Sequence, residues 1–134
     1  MLYMLDTDIC VYVAKQRHYP QVLARFNRLR FGDVGMSIVS YGELRFGAQK
    51  SERPNEAIRQ LGTFLEAVPI LAMEPATAEY YGRLRCELER QGKPIGTNDL
   101  WIAAHCLQLG LTLVTNNERE FSRIPDLTIE NWTN

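Results

Sequence analysis

The sequence has few of the residues that cross-link small folds. Its three cysteines, Cys10, Cys86 and Cys106, are odd in number, lie far apart in the chain and form no CxxC pair. A disulfide framework or a zinc site needs closer spacing, so neither is indicated, and we expect three buried thiols. The only histidines are His18, in a polar turn, and His105, in an apolar run. We expect a surface residue and a core side chain rather than general bases.

Long apolar runs and a strong excess of one charge are also absent. No run approaches the roughly 18 apolar residues of a membrane span, and the first residues lack the basic segment of a signal peptide. We therefore predict a cytoplasmic protein that does not contact membranes. A net charge of -1 at pH 7 argues against a polybasic binder. The 134 residues, 46% of them hydrophobic, predict one globular domain over 1–134.

The charges are unevenly distributed along the chain. Up to Lys50 the sequence has seven basic and four acidic residues, whereas the remainder has eight and twelve. Such a split permits a local positive face that binds a phosphate backbone, although a solvated helix face is the simpler interpretation. Lys15, Arg25 and Arg28 are the candidates for this face.

Short apolar runs alternate with helical patterns along the whole chain. Strands are predicted at 2–5, 34–39, 69–73 and 111–114, with an edge strand at 127–129. Helices are predicted after Thr7 or Asp8 as a cap, from Pro20, after a capping box from Ser40 to Glu43, from Pro54, over 76–91, and after Asn98 as a cap. This alternation predicts a three-layer α/β/α sandwich around a short parallel sheet of four to five strands.

Four carboxylates fall where a parallel sheet binds its ligands, outside the carboxyl ends of its strands. Asp6 directly follows the first predicted strand, Glu43 lies in the first turn after the second, and Glu120 lies after the fourth. Asp99 begins the helix that leads into the fourth strand. If that helix docks with its start at the same edge, the four acids converge.

Each acid also has a structural interpretation. Asp6 could cap a helix, Glu43 could close a capping box, Asp99 could interact with the helix dipole, and Glu120 could be solvated. Their joint placement favours a functional site, because all four would otherwise meet by coincidence. Clustered carboxylates repel one another unless a cation neutralises them, and oxygen ligands without His or Cys select Mg²⁺ or Mn²⁺. Such ions serve phosphate chemistry, so phosphodiester hydrolysis is predicted.

Four stretches carry the most specific motifs: MLDTD at 4–8, SYGEL at 40–44, PIGTNDLWIAAH at 94–105 and TNNEREF at 115–121. Together they resemble the PIN-domain ribonucleases, and within them the VapC toxins of type II toxin–antitoxin modules, over essentially the full chain. The resemblance implies that Asp6, Asp99 and Glu43 bind Mg²⁺, with Mn²⁺ as an alternative. Many PIN domains carry an Asp where this chain has Asn117, so the fourth charge is assigned to Glu120.

The resemblance also assigns three supporting residues, of which Asn117 is at best a neutral ligand. Thr115 is expected to orient a carboxylate or a water through its hydroxyl. Asp8 stands where the family more often has Asn; it could add an outer carboxylate to the site or cap the first helix, and we favour the cap.

The function that this resemblance implies is that of a toxic endoribonuclease. Its expected substrate is tRNA, and the Pro-Ile-Gly-x-x-Asp pattern suggests the anticodon stem-loop of initiator tRNA. Lys15, Arg25 and Arg28 would hold the RNA backbone. The expected partners are a second copy of the chain and a cognate VapB antitoxin that inhibits it, in a heterotetramer or larger complex. Operator DNA would be bound only through the antitoxin.

Two other classes of protein share part of the pattern. A haloacid-dehalogenase-like phosphatase would use Asp6 and Asp8 as nucleophile and acid, with Thr115 at a strand end. It also needs a Lys after the fourth strand and later paired acids, and this chain has neither. A receiver-like binding module needs an acceptor Asp after the third strand, where this chain offers only Glu74.

Overall fold

The structure, a computed structural model, describes residues 1–134 and contains one parallel five-stranded sheet. The strands lie in the order β3-β2-β1-β4-β5. Their bounds are β1 (Tyr3–Leu5), β2 (Val34–Ser37), β3 (Ile70–Leu71), β4 (Thr112–Val114) and β5 (Ile129–Glu130). Helices cover both faces of the sheet, which confirms the predicted three-layer α/β/α architecture.

Seven helices connect the strands: α1 (Thr7–Lys15), α2 (Pro20–Asn27), α3 (Ile38–Gln49), α4 (Pro54–Ala67), α5 (Pro75–Arg90), α6 (Thr97–Leu109) and α7 (Glu118–Phe121). Proline begins α2, α4 and α5, because its fixed φ suits the first helical position and that position needs no N–H donor. Gly110 ends α6 in the left-handed region, with φ at 69°. None of the seven has both the length and the apolar character that a membrane-crossing helix requires.

Two apolar cores lie on opposite faces of the sheet. Leu5 belongs to the core beneath α1, α2 and α4, whereas its neighbour Met4 belongs to the core beneath α5 and α6. Alternate residues of a strand point to opposite faces, so this central strand is apolar at both positions. From β1 the chain adds β2 and then β3 toward one edge of the sheet, and β4 and β5 lie on the other side of β1. Right-handed crossovers therefore place the earlier and later helices on different faces.

Three predicted helix caps are wrong. The α1 helix is capped by Asp6, whose Oδ1 accepts the Thr7 N–H at 2.9 Å, rather than by Thr7 or Asp8. The α3 helix begins at Ile38, because the Ser37 hydroxyl accepts the Val39 N–H at 3.1 Å.

The Ser40–Glu43 capping box therefore does not form, and Glu43 lies in the second turn of α3 rather than the first. At the start of α6, Gly96 rather than Asn98 is the N-cap residue.

The cysteine and histidine predictions have mixed outcomes. Cys10 and Cys106 are buried, but Cys86 is exposed on α5, so the prediction of three buried thiols is wrong for this residue. His18 is exposed as expected. His105 is fully buried, with Nε2 3.1 Å from the Ala72 carbonyl and Nδ1 2.8 Å from the Ser37 hydroxyl. Because a carbonyl only accepts, Nε2 carries the proton and Nδ1 accepts from Ser37, so both ring nitrogens are satisfied.

Candidate metal centre

The candidate site lies at the carboxyl ends of β1 and β4, where the direction of the strand order reverses. The two strands are paired at this edge, since the Asp6 N–H donates to the Val114 carbonyl at 2.8 Å. Helices leave the two strands on opposite faces of the sheet, and this opens a crevice between them. The local sequence delivers Asp6 to this crevice at the end of β1 and Thr115 at the end of β4.

The Asp6 carboxylate is buried and held by two donors. Its Oδ2 accepts the Thr115 hydroxyl at 2.7 Å, and its Oδ1 accepts the Thr7 N–H. Burial, together with the negative charges of Asp8 and Glu43, raises the pKa of Asp6 to about 6 in spite of these hydrogen bonds. The carboxylate is therefore fixed in orientation and surrounded by negative charge, which is the environment that a cation stabilises.

Thr7 connects Glu43 to the end of β1. Its hydroxyl donates to Glu43 Oε1 at 2.7 Å and lies 3.0 Å from the buried Ser40 hydroxyl. Thr7 thus contacts two of the predicted acids, Asp6 through its amide and Glu43 through its side chain. Neither Thr7 nor Ser40 was assigned a role at the site from the sequence. The signal that could have found Thr7 was a hydroxyl residue directly after the acid that ends β1.

Asp99 lies at the same edge because α6 runs antiparallel to the strand that it precedes. Burial, followed by the charges of Asp6 and Glu120 and a hydrogen bond with Glu120, raises the pKa of Asp99 to about 7; the charge of Glu43 also contributes. The structure therefore brings the helix-starting Asp99 to the edge that holds Asp6, Glu43 and Glu120.

Glu120 and Asn117 are hydrogen-bonded to each other beside Asp99. Glu120 Oε1 accepts the Gly96 N–H at 2.7 Å, and its Oε2 accepts the Asn117 side-chain amide at 3.0 Å. The Asn117 N–H in turn donates to the Thr115 hydroxyl at 2.9 Å. Both residues at the predicted fourth position are therefore part of one hydrogen-bond network.

Asp8 lies at the margin of the site, in the first turn of α1. Its Oδ1 accepts the Ile9 N–H at 2.8 Å. Burial raises the pKa of Asp8, with a contribution from the charge of Glu43, while hydrogen bonds from main-chain amides that include those of Ile9 and Asn116 oppose the shift. The prediction that Asp8 caps the helix is wrong, although its charge is favoured near the helix N-terminus.

The donor set fits a hard divalent cation in an open site. The facing groups are carboxylates, with neither His nor Cys among them, which suits Mg²⁺ or Mn²⁺. No three His, Cys, Asp or Glu side chains are close enough to form a complete cage around one ion. Mg²⁺ is usually bound through one or two carboxylates, with waters and substrate phosphate completing its coordination, so a complete cage is not required.

The three predicted RNA-binding residues differ in whether they are already paired within the protein. Arg25 forms an ion pair with Glu130 at 3.0 Å, and its guanidinium carbon lies 5.1 Å from the centroid of the Trp132 ring. Arg28 and Lys15 are exposed and form no ion pair.

Lys15 also lines a groove of about 400 Å³ between α1, α3 and α4. Thr7, Glu43 and Lys50 line the same groove. This arrangement connects the acidic edge with two basic side chains, of which only Lys15 was a candidate from the sequence.

The pKa values of Asp6 and Asp99 predict that the metal-free protein loses stability as the pH rises. The ordinary pKa of an aspartate side chain is 3.8. In the folded protein the pKa is about 6 for Asp6 and about 7 for Asp99. Between these values the folded state binds more protons than the unfolded state, so the free energy of unfolding falls from about pH 4 to about pH 7. In EDTA, thermal unfolding is therefore expected at a higher temperature at pH 5 than at pH 8. An equal or higher unfolding temperature at pH 8 would contradict this prediction.

Comparison with known proteins gives one consistent family. The PIN domain matches residues 3–127 of the chain. The sequence is 45% identical over 130 residues to Ribonuclease VapC2 of Haemophilus influenzae, covering 97% of each chain. It is 40% identical over 131 residues to the tRNA(fMet)-specific endonuclease VapC of Shigella flexneri, covering 98% of each. The solved VapBC2 complex of Rickettsia felis, bound to a DNA fragment from its promoter, matches with a TM-score of 0.90 at 40% identity, over 98% of this chain and 99% of that one.

Proposed function

The chain belongs to the VapC ribonucleases of the PIN-domain family, and we propose that it is a toxin that cleaves tRNA with Mg²⁺. The proposed target is the anticodon stem-loop of initiator tRNA. The name of the Shigella flexneri relative supports this choice of tRNA. The observation that carries the proposal is the meeting of Asp6 and Asp99 at one sheet edge, where burial and then the negative charge of Asp6 raise the pKa of Asp99.

Asp6, Asp99 and Glu43 are the residues that would hold the ion. When bound, such an ion neutralises phosphate oxygens, lowers the pKa of water and stabilises the charge that develops during phosphodiester hydrolysis. Thr115 and Thr7 hold the Asp6 carboxylate by hydrogen bonds, and Thr7 also holds Glu43, so both side chains are fixed in orientation in the metal-free protein. With its pKa at about 7, Asp99 holds a proton in part of the metal-free molecules at neutral pH, and this proton competes with metal binding.

The proposed partners are a VapB-type antitoxin and a second copy of the chain. The Rickettsia felis structure contains both toxin and antitoxin, together with promoter DNA. Because that promoter-bound structure contains an antitoxin, we assign operator binding to the antitoxin. In the assembled complex the antitoxin would inhibit the nuclease by covering the acidic crevice.

The experiment that tests the proposed function is cleavage of a bulk tRNA pool by the purified, antitoxin-free protein. Parallel reactions contain Mg²⁺, Mn²⁺ or EDTA, and the fragments are mapped by sequencing. Discrete fragments that require the metal and map to initiator tRNA are expected. If folded protein gives no cleavage with either metal, the nuclease proposal fails; if it gives fragments from other RNAs only, the assignment of substrate fails.

Replacing Asp8 with asparagine separates the nuclease from the phosphatase alternative. Asp8 is held by main-chain amides at the margin of the site, so Asp8→Asn is expected to leave RNA cleavage within a few-fold of the unsubstituted protein. A phosphatase that used Asp8 as its general acid would lose about 10²- to 10⁴-fold. The measurement is kcat/KM on tRNA beside hydrolysis of a generic phosphate monoester. A loss of that size in RNA cleavage would place Asp8 in the reaction itself.

Replacing Arg28 with alanine tests the proposed RNA-binding face. Arg28 is exposed and forms no ion pair, so its replacement is expected to have little effect on folding. The slope of log K for RNA binding against log salt concentration is expected to become shallower by about 1. Binding to a non-cleaved RNA is measured over a range of salt concentrations in EDTA. Asn27→Ala is the matched control, because Asn27 is the neighbouring residue, is also exposed and carries no charge. An unchanged slope for Arg28→Ala would show that the RNA-binding face does not include Arg28.

A further inference from the structure

We infer that Glu120 is a positioning residue that holds the start of α6, and therefore Asp99, in place, rather than a fourth ligand of the metal. The inference rests on the proposed function, in which Asp99 binds the ion. The family resemblance implied that Glu120 contributes negative charge to the metal site. In the structure its carboxylate instead accepts hydrogen bonds from the chain.

The start of α6 has no cap within its own sequence. Gly96, its N-cap residue, has no side chain, and Asn98 is exposed rather than capping the helix. Glu120 Oε1 instead accepts the Gly96 N–H at 2.7 Å from 24 residues away. In the same loop, the Pro94 carbonyl accepts a hydrogen bond from Arg123 Nη1 at 2.6 Å. The segment at α7 thus holds the loop at two points shortly before Asp99.

The second oxygen of Glu120 is also occupied. Oε2 accepts the Asn117 side-chain amide, and the Asn117 N–H donates to the Thr115 hydroxyl, which in turn donates to Asp6. A hydrogen-bond chain therefore runs from the loop before α6 to the carboxylate at the end of β1. Both Glu120 oxygens therefore already accept an N–H of the chain, and the carboxylate is also hydrogen-bonded to Asp99, so a metal bound directly by Glu120 would have to share or displace these contacts.

Two substitutions separate the reach of this side chain from its charge. Glu120→Gln keeps the length and an acceptor oxygen for Gly96, and the Asn117 amide can turn to accept from the new amide group. Glu120→Asp keeps the charge but is one methylene shorter, so it cannot reach Gly96 in the same way. A positioning role predicts that Glu120→Gln stays within about threefold, whereas Glu120→Asp loses about 10- to 100-fold in kcat/KM and in metal affinity. A ligand that needs its charge predicts the opposite order.

The experiment measures three quantities for both variants. They are kcat/KM on tRNA, Mn²⁺ binding to the RNA-free protein by electron paramagnetic resonance, and hydrogen exchange of the peptide that contains residues 94–99. Glu120→Asp is expected to exchange faster in this peptide, while Glu120→Gln is not. Glu118→Asp and Glu118→Gln are matched controls, because Glu118 lies on the same helix and contacts Asn131 instead.

The possible outcomes are distinct. Equal losses for Glu120→Gln and Glu120→Asp, a larger loss for Glu120→Gln, or no change in either would overturn the inference. If the unsubstituted protein cleaves no RNA, the proposed function fails, but Mn²⁺ binding and hydrogen exchange still determine whether Glu120 acts through the loop. Thermal unfolding of each variant identifies any loss that comes from general destabilisation.

Discussion

Replacing Asp99 with asparagine is expected to abolish RNA cleavage and, at the same time, to stabilise the metal-free protein above neutral pH. Burial and the charges of Asp6 and Glu120 raise the pKa of Asp99 to about 7, so ionising this carboxyl group is unfavourable without a cation. An amide removes that charge while keeping the size of the side chain. It also removes the anionic group that we propose as a metal ligand, and a loss of several kcal/mol of transition-state stabilisation corresponds to at least about 10³-fold in rate.

Cleavage of tRNA and thermal unfolding in EDTA check the two parts of this prediction. Asp126→Asn is a matched control, because Asp126 is exposed and lies outside the site. At pH 8 the Asp99→Asn protein is expected to unfold at a higher temperature than the unsubstituted protein, and the decline of stability with pH should be smaller. Cleavage within a few-fold of the unsubstituted protein would rule out the proposed mechanism.

Replacing Thr115 with valine is expected to have the second-largest effect, on both activity and stability. The Thr115 hydroxyl is fully buried, donates to Asp6 Oδ2 and accepts the Asn117 N–H. Valine has nearly the same shape but satisfies neither group. Unsatisfied buried polar groups cost about 1–3 kcal/mol each, and losing the residue that orients a metal ligand typically costs about 10- to 100-fold in activity or metal affinity.

Thr115→Ser distinguishes this explanation from a packing defect. Serine keeps the hydroxyl and removes the methyl group, so it is expected to restore most of the activity. The measurements are kcat/KM on tRNA over a range of Mg²⁺ concentrations, and unfolding by urea. Activity of Thr115→Val that equals that of Thr115→Ser would show that the hydroxyl does not orient Asp6 in a way that cleavage requires.

The order of secondary structure could be predicted because it depends on local patterns. Short apolar runs predicted the strands, and each of them contributes to the sheet, although all five strands are shorter than predicted and β5 shares only Ile129 with the predicted range 127–129. The sequence also allowed Asp99 to be expected at the carboxyl edge, since a helix that leads into a parallel strand starts at that edge. The helix caps were harder to predict, because several neighbouring polar residues can each supply an acceptor.

The predicted helix caps failed for related physical reasons. Asp6, Ser37 and Gly96 begin α1, α3 and α6, each of them upstream of the residue that the sequence favoured. At α3, Ser37 is followed by two β-branched residues, Ile38 and Val39, which are typical of strands but lie in the helix. Tertiary packing overrides such local preferences, since the helix must begin where the sheet ends.

Local sequence patterns are enough to predict the alternation of strands and helices, the apolar character of both sheet faces and the acidic residues beside the strands. The contacts of each acid depend on how the elements pack. Thr7 donates to Glu43 across 36 residues, Glu120 accepts from Gly96 across 24, and Thr115 donates to Asp6 across 109. The physical reason is that a hydrogen bond requires its two groups to lie about 3 Å apart in a fixed orientation, and for groups distant in the chain that geometry exists only once the helices have packed on the sheet.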